Sequence, residues 1–133
     1  MKTKLLLLFF SGLIVFSCRQ HYATYTLTNS TKYNLEIYGY RMQVGHISFA
    51  EAKPIYMEPF SELEFKRSVE GFDSRTFFSV SSVDSVEIIF DEEKKLVLSQ
   101  HSYPCTDCHS ILQGFHLATI TEEDYNNAVP IEE

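Results

Sequence analysis

The most specific chemical spacing in this chain belongs to two cysteines and a histidine, in the string Cys105-Thr106-Asp107-Cys108-His109. Cys-x-x-Cys-His is the spacing that attaches haem c through two thioether bonds, with the histidine as an iron ligand. A second iron ligand would come from one of five residues between which the sequence does not choose: His116, His101, His46, Met42 or Met57. This interpretation predicts an electron-transfer protein.

The same segment allows two other interpretations. Cys105 and Cys108 can form a disulfide that closes a turn, although so short a loop gains only a modest entropic stabilisation. Alternatively, the two thiolates bind zinc together with His101 and His116, in a spacing that is irregular for zinc sites. A covalent haem needs a large apolar pocket, whereas the residues between the cysteines are polar. We therefore favour the disulfide and expect no bound cofactor or metal.

The beginning of the chain has the composition of an export signal. A basic start is followed by an uncharged apolar run, Leu5 to Phe16, and then by Ser17 and Cys18. A basic region, an apolar core and a small residue before a cleavage point are typical of a secretory signal. The run is shorter than the ~20 residues that a membrane-spanning helix needs. We predict a signal peptide at residues 1–17 and a single domain at residues 18–133.

Val15-Phe16-Ser17-Cys18 resembles the lipobox of bacterial lipoproteins, which signal peptidase II cleaves so that the cysteine becomes the lipid-modified first residue. Val15 and Ser17 match that pattern, while Phe16 is bulkier than the usual small residue. The resemblance implies that Cys18 carries acyl chains such as palmitate and anchors the protein in the cell envelope. An ordinary secretory signal cleaved nearby is the alternative.

The residues that follow Cys18 indicate which side of the membrane the domain faces. An acidic cluster at this place resembles a surface-export tag in Bacteroidota. Arg19-Gln20-His21 contains no acidic residue, and the missing tag implies an outer-membrane protein that faces the periplasm. With Cys18 occupied by lipid, Cys105 and Cys108 remain as an even pair in an oxidising compartment.

The predicted mature domain is acidic. Loss of Lys2 and Lys4 from the eleven Lys and Arg leaves nine cations against eighteen acids, a net charge of −9. This balance argues against nucleic acid and anionic headgroups as partners, because no basic patch is left to attract them. Membrane contact would come from the lipid, at ~0.8 kcal/mol per buried methylene.

Short alternating segments separated by turn residues predict a mainly β domain. In Tyr33 to Tyr40, alternation places Leu35 and Ile37 in the core and Tyr38 and Tyr40 on the opposite face. The other predicted strands are Tyr22 to Thr28 (an edge strand), Val44 to Phe49, Ser61 to Lys66, a hairpin of Ser85 to Phe90 with Leu96 to Ser99, and Phe115 to Ile120. Lys53 to Pro59 contains two prolines and is predicted to be at most an edge segment or a connection.

About seven strands without helical crossovers predict an antiparallel β-sandwich, immunoglobulin- or transthyretin-like. Thr121 is predicted to cap a short C-terminal helix from Glu122 to about Ala128, which Pro130 prevents from extending. The hairpin from Asp84 to Asp91 and the tail from Ile120 to Ala128 resemble those of small, functionally uncharacterised lipoproteins of Bacteroidota. This resemblance implies an envelope location and no activity.

Signatures of other enzyme classes are missing from the sequence: Gly-x-Ser-x-Gly, a glycine-rich phosphate loop and His-Glu-x-x-His. Tyr38 and Tyr40 on the outward face of a strand form a candidate binding patch for a protein or a glycan. Ordinary cross-strand aromatic pairing is the alternative. We predict an envelope-anchored lipoprotein with a structural or binding role and no catalysis. The competing hypothesis is a membrane-tethered c-type haem protein that uses Cys105, Cys108 and His109.

Overall fold

The computed structural model describes residues 21–43, 46–49, 53–69, 77–78, 83–100, 107–113 and 116–132. These residues form nine strands and one helix: β1 (His21–Asn29), β2 (Leu35–Gln43), β3 (His46–Phe49), β4 (Ile55–Met57), β5 (Glu62–Val69), β6 (Ser85–Phe90), β7 (Lys94–Ser99), β8 (Leu117–Ile120), α1 (Glu122–Asn127) and β9 (Val129–Pro130). The predicted mainly β class is confirmed. The predicted signal peptide, Cys18, His101 and Cys105 lie outside the described residues.

The larger sheet contains six strands in the order β3-β2-β6-β7-β9, with β4 also pairing with β2. All its strand pairs are antiparallel. In β2, Leu35 and Ile37 are buried while Tyr38 and Tyr40 face outward, so the predicted alternation is confirmed. β4 is short and pairs only with β2, as expected of a segment between prolines. The predicted hairpin is also present as β6 and β7.

The smaller sheet contains three strands in the order β5-β1-β8. The prediction that β1 is an edge strand is therefore wrong. Every second side chain of β1 points into the core, and Tyr25, Leu27 and Asn29 are buried. The threonines between them face solvent. These threonines made β1 look weakly apolar in the sequence, and this is why it was predicted to be an edge strand.

One strand pair departs from the predicted antiparallel arrangement. β1 and β8 are parallel, from Thr26 opposite Leu117 to Asn29 opposite Ile120. Parallel neighbours need a long crossover, and here strands β2 to β7 lie between them in the chain. The two-sheet sandwich with a short C-terminal helix is confirmed. Its finer immunoglobulin- or transthyretin-like type stays a prediction.

Both sheets contribute to one hydrophobic core. Leu27 of the smaller sheet and Ile88 of the larger sheet are fully buried, as are Phe77 and Phe78. Phe78 lies against Gly39 of β2, where an added Cβ would come within 2.8 Å of two ring carbons. The aromatic ring therefore occupies the space that a glycine leaves open.

Asn29 fixes the connection between the sheets. Its Oδ1 accepts hydrogen bonds from the Thr31 N–H at 3.0 Å and the Thr31 hydroxyl at 2.8 Å. Its Nδ2 donates to the carbonyls of Tyr33 and Glu58, both at 2.8 Å. The fully buried side chain of Asn29 therefore holds the start of β2 and the end of β4 together.

Candidate functional site

Cys108 and His109 lie in a turn, residues 107–113, that is held against the core. Ile111 is fully buried and Leu112 is 7% exposed. The Leu112 N–H donates to the His109 carbonyl at 2.9 Å, and Gln113 Nε2 donates to the Cys108 carbonyl. The turn therefore holds Cys108 and His109 of the cysteine–histidine motif in place.

His109 is engaged through both ring nitrogens. Nε2 lies 3.4 Å from Asp124 Oδ1, with side chains only 17% and 12% exposed. Nδ1 accepts a hydrogen bond from the Ile111 N–H at 3.3 Å. The imidazole thereby ties the turn to α1. In this arrangement neither nitrogen is available to bind iron or to activate a nucleophile.

Asp124 joins this contact to the start of the helix. The N-cap residue is Thr121, as predicted, and its N–H and hydroxyl both donate to Asp124 Oδ2, at 2.7 and 3.0 Å. Burial raises the pKa of Asp124, but hydrogen bonds from His109 and Thr121 outweigh burial, so the pKa is lowered overall. The sequence did not predict the contact between Asp124 and His109, because the two residues belong to different segments of the chain.

Cys108 is disulfide-bonded. The other two cysteines, Cys18 and Cys105, lie outside the described residues, so the Cys105–Cys108 pairing stays a prediction. A sulfur in a disulfide forms no thioether bond to haem, and His109 is occupied by Asp124 and Ile111. The residues as placed do not fit a covalent haem, and this geometry favours the disulfide interpretation.

The zinc interpretation also requires His116. Its Nδ1 lies 3.1 Å from the Thr24 carbonyl, and its ring stacks on Tyr25 with centroids 4.8 Å apart. Across the described part of the chain, no three or more His, Cys, Asp or Glu side chains are grouped so that they could hold a metal ion.

The predicted patch of Tyr38 and Tyr40 lies on the outer face of the larger sheet. The two rings stack with centroids 6.5 Å apart and planes 24° apart. Strand register places Tyr56 of β4 opposite Glu36, and Glu87 of β6 opposite Tyr38. Three tyrosines thus surround two glutamates. We call these five residues the tyrosine–glutamate cluster.

Hydrogen bonds hold this cluster together. The Tyr38 hydroxyl donates to Glu36 Oε1 at 2.5 Å, and the Tyr40 hydroxyl donates to Glu87 Oε1 at 3.4 Å. Tyr56 lies opposite Glu36 in the neighbouring strand, and Glu36 contributes to its raised pKa. Lys95 Nζ lies 3.9 Å from the other carboxylate oxygen of Glu87. The tyrosine hydroxyls are therefore oriented toward the carboxylates, and the rings remain as the exposed apolar surface.

The glutamates change the acidity of the tyrosines. The hydrogen bond to Glu36 raises the pKa of Tyr38 to about 12. Desolvation and then Glu36 raise the pKa of Tyr56, and desolvation and then Glu87 raise the pKa of Tyr40. All three phenols consequently keep their protons to a higher pH than an ordinary tyrosine, and those of Tyr38 and Tyr40 donate to the carboxylates.

Exposed apolar side chains extend this face. Tyr56 is 65% exposed, and the exposed aliphatic residues around the cluster are Ile47, Val97 and Val129. Val97 is opposite Glu87, and Val129 is opposite Lys95. The outer face of the smaller sheet differs: apart from exposed Tyr22 and Leu117, its residues are polar, namely Thr24, Thr26, Thr28, Glu62, Glu64, Lys66 and Thr119.

One end of the cluster borders a groove of about 370 Å³, lined by Asn34, Leu35, Glu36, Tyr56, Ile89, Asp91 and Glu92. Asp91 Oδ1 accepts hydrogen bonds from the Asn34 N–H at 2.9 Å and from Asn34 Nδ2 at 2.7 Å. These contacts fix the β6–β7 turn, in which Asp91 and Glu92 have positive φ angles of 47° and 60°.

Sequence reasoning found Tyr38 and Tyr40 but missed Tyr56 and Glu87. Alternation along β2 identifies the outward face of that strand and also includes Glu36. Tyr56 and Glu87 belong to other strands, so only the strand register brings them to the same place.

No family model, curated protein or solved structure matches this chain. In the described residues, no helix is long and apolar enough to cross a membrane.

Proposed function

We propose that this protein is a lipid-anchored binding module of the bacterial envelope, without catalysis, whose binding surface is the outer face of the larger sheet. The tyrosine–glutamate cluster carries this proposal. It combines partly exposed aromatic rings with oriented polar groups, and tyrosine is enriched in protein interfaces because it has both properties. The neighbouring Val97 and Val129 enlarge the apolar surface.

The anchor would be lipid on Cys18, in the outer membrane, with the domain facing the periplasm. β1 begins at His21, three residues after Cys18. An extended chain of three residues reaches about 10 Å. The start of β1 would therefore lie close to the membrane surface, and Asn29, at the other end of this strand, would point away from it.

Photo-cross-linking in living cells tests the binding surface. A photoreactive phenylalanine analogue replaces Tyr56 in one variant and Tyr22, on the smaller sheet, in the other; both positions are exposed. We expect a specific cross-linked product from position 56 and none from position 22. Tyr38→Ala combined with Tyr40→Ala should remove this product without unfolding the domain. Identical products from both positions, or none from position 56, would contradict the proposal.

Cell fractionation tests the anchor. In Cys18→Ser, incorporation of labelled fatty acid should be lost, and the protein should leave the membrane fraction. Protease added to intact cells should spare the wild-type protein if the domain faces the periplasm. Fatty-acid labelling that persists in Cys18→Ser would show that the anchor is elsewhere.

Absorbance distinguishes this proposal from the haem hypothesis. Protein made together with a haem-attachment system should show no Soret band and no gain in mass. A Soret band that disappears in Cys108→Ser would overturn the assignment of a binding module without cofactor.

A further inference from the structure

The outer face of the larger sheet combines exposed aromatic rings with negative charge. Glu36 and Glu87 lie among the three tyrosines of the cluster, and Asp91 and Glu92 line the adjoining groove. Lys95 offsets part of this charge through its contact with Glu87, in which both side chains are partly exposed. The whole chain has a net charge of −7, so the long-range field also attracts cations.

We propose, on the basis of the proposed binding role of this face, that its occupant is a basic, extended segment of a partner protein. Its lysine or arginine side chains would lie over the rings of Tyr38 and Tyr40 and pair with Glu36 and Glu87. Aromatic rings attract cations through their faces, and complementary charge supplies specificity and rapid association. A neutral glycan would gain no attraction from the charge of the two carboxylates, and an acidic segment would be repelled by it.

The spacing of the rings fits an extended occupant. The centroids of Tyr38 and Tyr40 are 6.5 Å apart because the two residues are successive outward positions of β2. Side chains on one face of any extended segment repeat every two residues, or about 6.6 Å. A segment with basic residues at alternate positions would therefore place one cation over each ring.

The chain contains this type of contact elsewhere. Lys94 Nζ lies over the Tyr125 ring at 4.3 Å from the centroid, and Lys32 Nζ lies over Tyr33 at 5.3 Å. The tyrosines of the cluster lie on the outer face of the sheet, where Tyr56 is 65% exposed and Tyr38 and Tyr40 are partly exposed.

Fluorescence anisotropy of labelled peptides tests the proposal. The probes are a short Lys-Ser repeat, a peptide of the same composition with its lysines in one block, and a Glu-Ser repeat. The protein is the full lipidated chain in non-ionic detergent. We expect the Lys-Ser repeat to bind most tightly, the blocked peptide less tightly and the Glu-Ser repeat not at all. Affinity should fall as salt rises, because salt screens exposed charges.

Matched variants separate site binding from general attraction. Glu36→Gln combined with Glu87→Gln should weaken binding of the Lys-Ser repeat about tenfold. Glu62→Gln combined with Glu64→Gln makes the same charge change on the smaller sheet and should have an effect of less than about twofold. Equal losses in both variants would overturn the proposal, because they would show dependence on net charge alone.

Tyrosine variants test the role of the rings. Tyr38→Phe should retain most of the affinity because the ring is kept, whereas Tyr38→Ala should lose it. Denaturant unfolding of each variant shows whether the domain is intact. Equal losses in Tyr38→Phe and Tyr38→Ala would contradict binding through the ring face.

Failure of this inference can be distinguished from failure of the proposed function. If position 56 cross-links in cells while the Lys-Ser repeat does not bind, the face is a binding surface for another chemistry and only the basic occupant is rejected. A neutral glycan that binds the wild-type chain and loses affinity in Tyr38→Ala would likewise reject the basic occupant alone. Without cross-linking or peptide binding, both proposals fail.

Discussion

Tyr38 shows how one neighbour changes the chemistry of a side chain. Its hydroxyl donates to Glu36, and ionising the phenol would place two negative charges side by side. The ordinary pKa of tyrosine is about 10, and the hydrogen bond to Glu36 raises the pKa of Tyr38 to about 12. The folded protein therefore holds this proton more tightly than the unfolded chain.

The first prediction concerns this proton. The stabilising contribution of Tyr38 should be complete below about pH 10 and disappear as the pH rises toward 12. In a near-ultraviolet titration, Glu36→Gln should lower the tyrosine midpoint, through Tyr38 first and also through Tyr56, because the negative charge near both phenols is removed. Glu62→Gln, on the smaller sheet, should leave that midpoint unchanged. A tyrosine titration unaffected by Glu36→Gln would contradict the assigned hydrogen bond.

Asp124 is the second residue whose ionisation is coupled to folding. Its carboxylate accepts hydrogen bonds from Thr121 and lies beside His109, with a side chain only 12% exposed. A lowered pKa means that the folded state favours the ionised form. Its contribution to stability is present above the unfolded value of about 3.9 and is lost as the pH falls through the lower folded value.

The second prediction follows from the lowered pKa of Asp124. Asp124→Asn should lower the free energy of unfolding at neutral pH by about 1–2 kcal/mol, since hydrogen bonds to a charged group are lost. Below about pH 4, the free energy of unfolding of this variant should also fall less steeply than that of the wild type. Denaturant unfolding across the acid range measures both effects. Glu123→Gln is the control, because Glu123 is exposed in the same helical turn. Equal effects of the two variants would argue against a specific role of Asp124.

At the scale of elements, β2 organises the larger sheet. It pairs with β6 on one side and with β4 and β3 on the other. Its inward face packs in the core while its outward face carries three of the five residues of the tyrosine–glutamate cluster. Gly39 is the position where β2 approaches Phe78 most closely.

The third prediction tests this approach. Gly39→Ala should destabilise the protein by about 1–3 kcal/mol, as expected for overpacking of a tight core. The added Cβ would lie 2.8 Å from two carbons of the buried Phe78 ring. Combining Gly39→Ala with Phe78→Leu should cost less than the sum of the single changes, because the smaller side chain makes space. Additive costs in denaturant unfolding would show that the two sites do not contact each other.

At the scale of the whole molecule, one core joins both sheets. Leu27 from the smaller sheet and Ile88 from the larger sheet are fully buried in the same cluster. The buried apolar side chains of the described residues form one cluster that both sheets share, so we expect the sandwich to unfold as a unit.

The fourth prediction concerns this cooperativity. Leu27→Ala and Ile88→Ala should each lower the free energy of unfolding by about 2–5 kcal/mol. In either variant, hydrogen exchange should show that amides of β1 and β6 lose protection together. Leu117→Ala is the control, because Leu117 is 68% exposed and contributes little to the core. Loss of protection confined to the mutated sheet would show that the sheets unfold separately.

Local patterns determined much of this architecture. Alternation placed Leu35 and Ile37 inward and Tyr38 and Tyr40 outward, because side chains along a strand point to opposite faces. Thr121 marked the helix start because a hydroxyl followed by acids suits the N-terminus of a helix. These features depend on neighbours in the chain and can be read from the sequence.

Only the tertiary structure decided the rest. The central place of β1 and its parallel pairing with β8 depend on contacts between distant segments. The same dependence on distant segments applies to the cluster, in which Tyr56 and Glu87 meet Tyr38. It also applies to the pairing of His109 with Asp124. The sequence supplied the individual functional groups, but register and packing decided which of them became neighbours, and hence which chemistry each can perform.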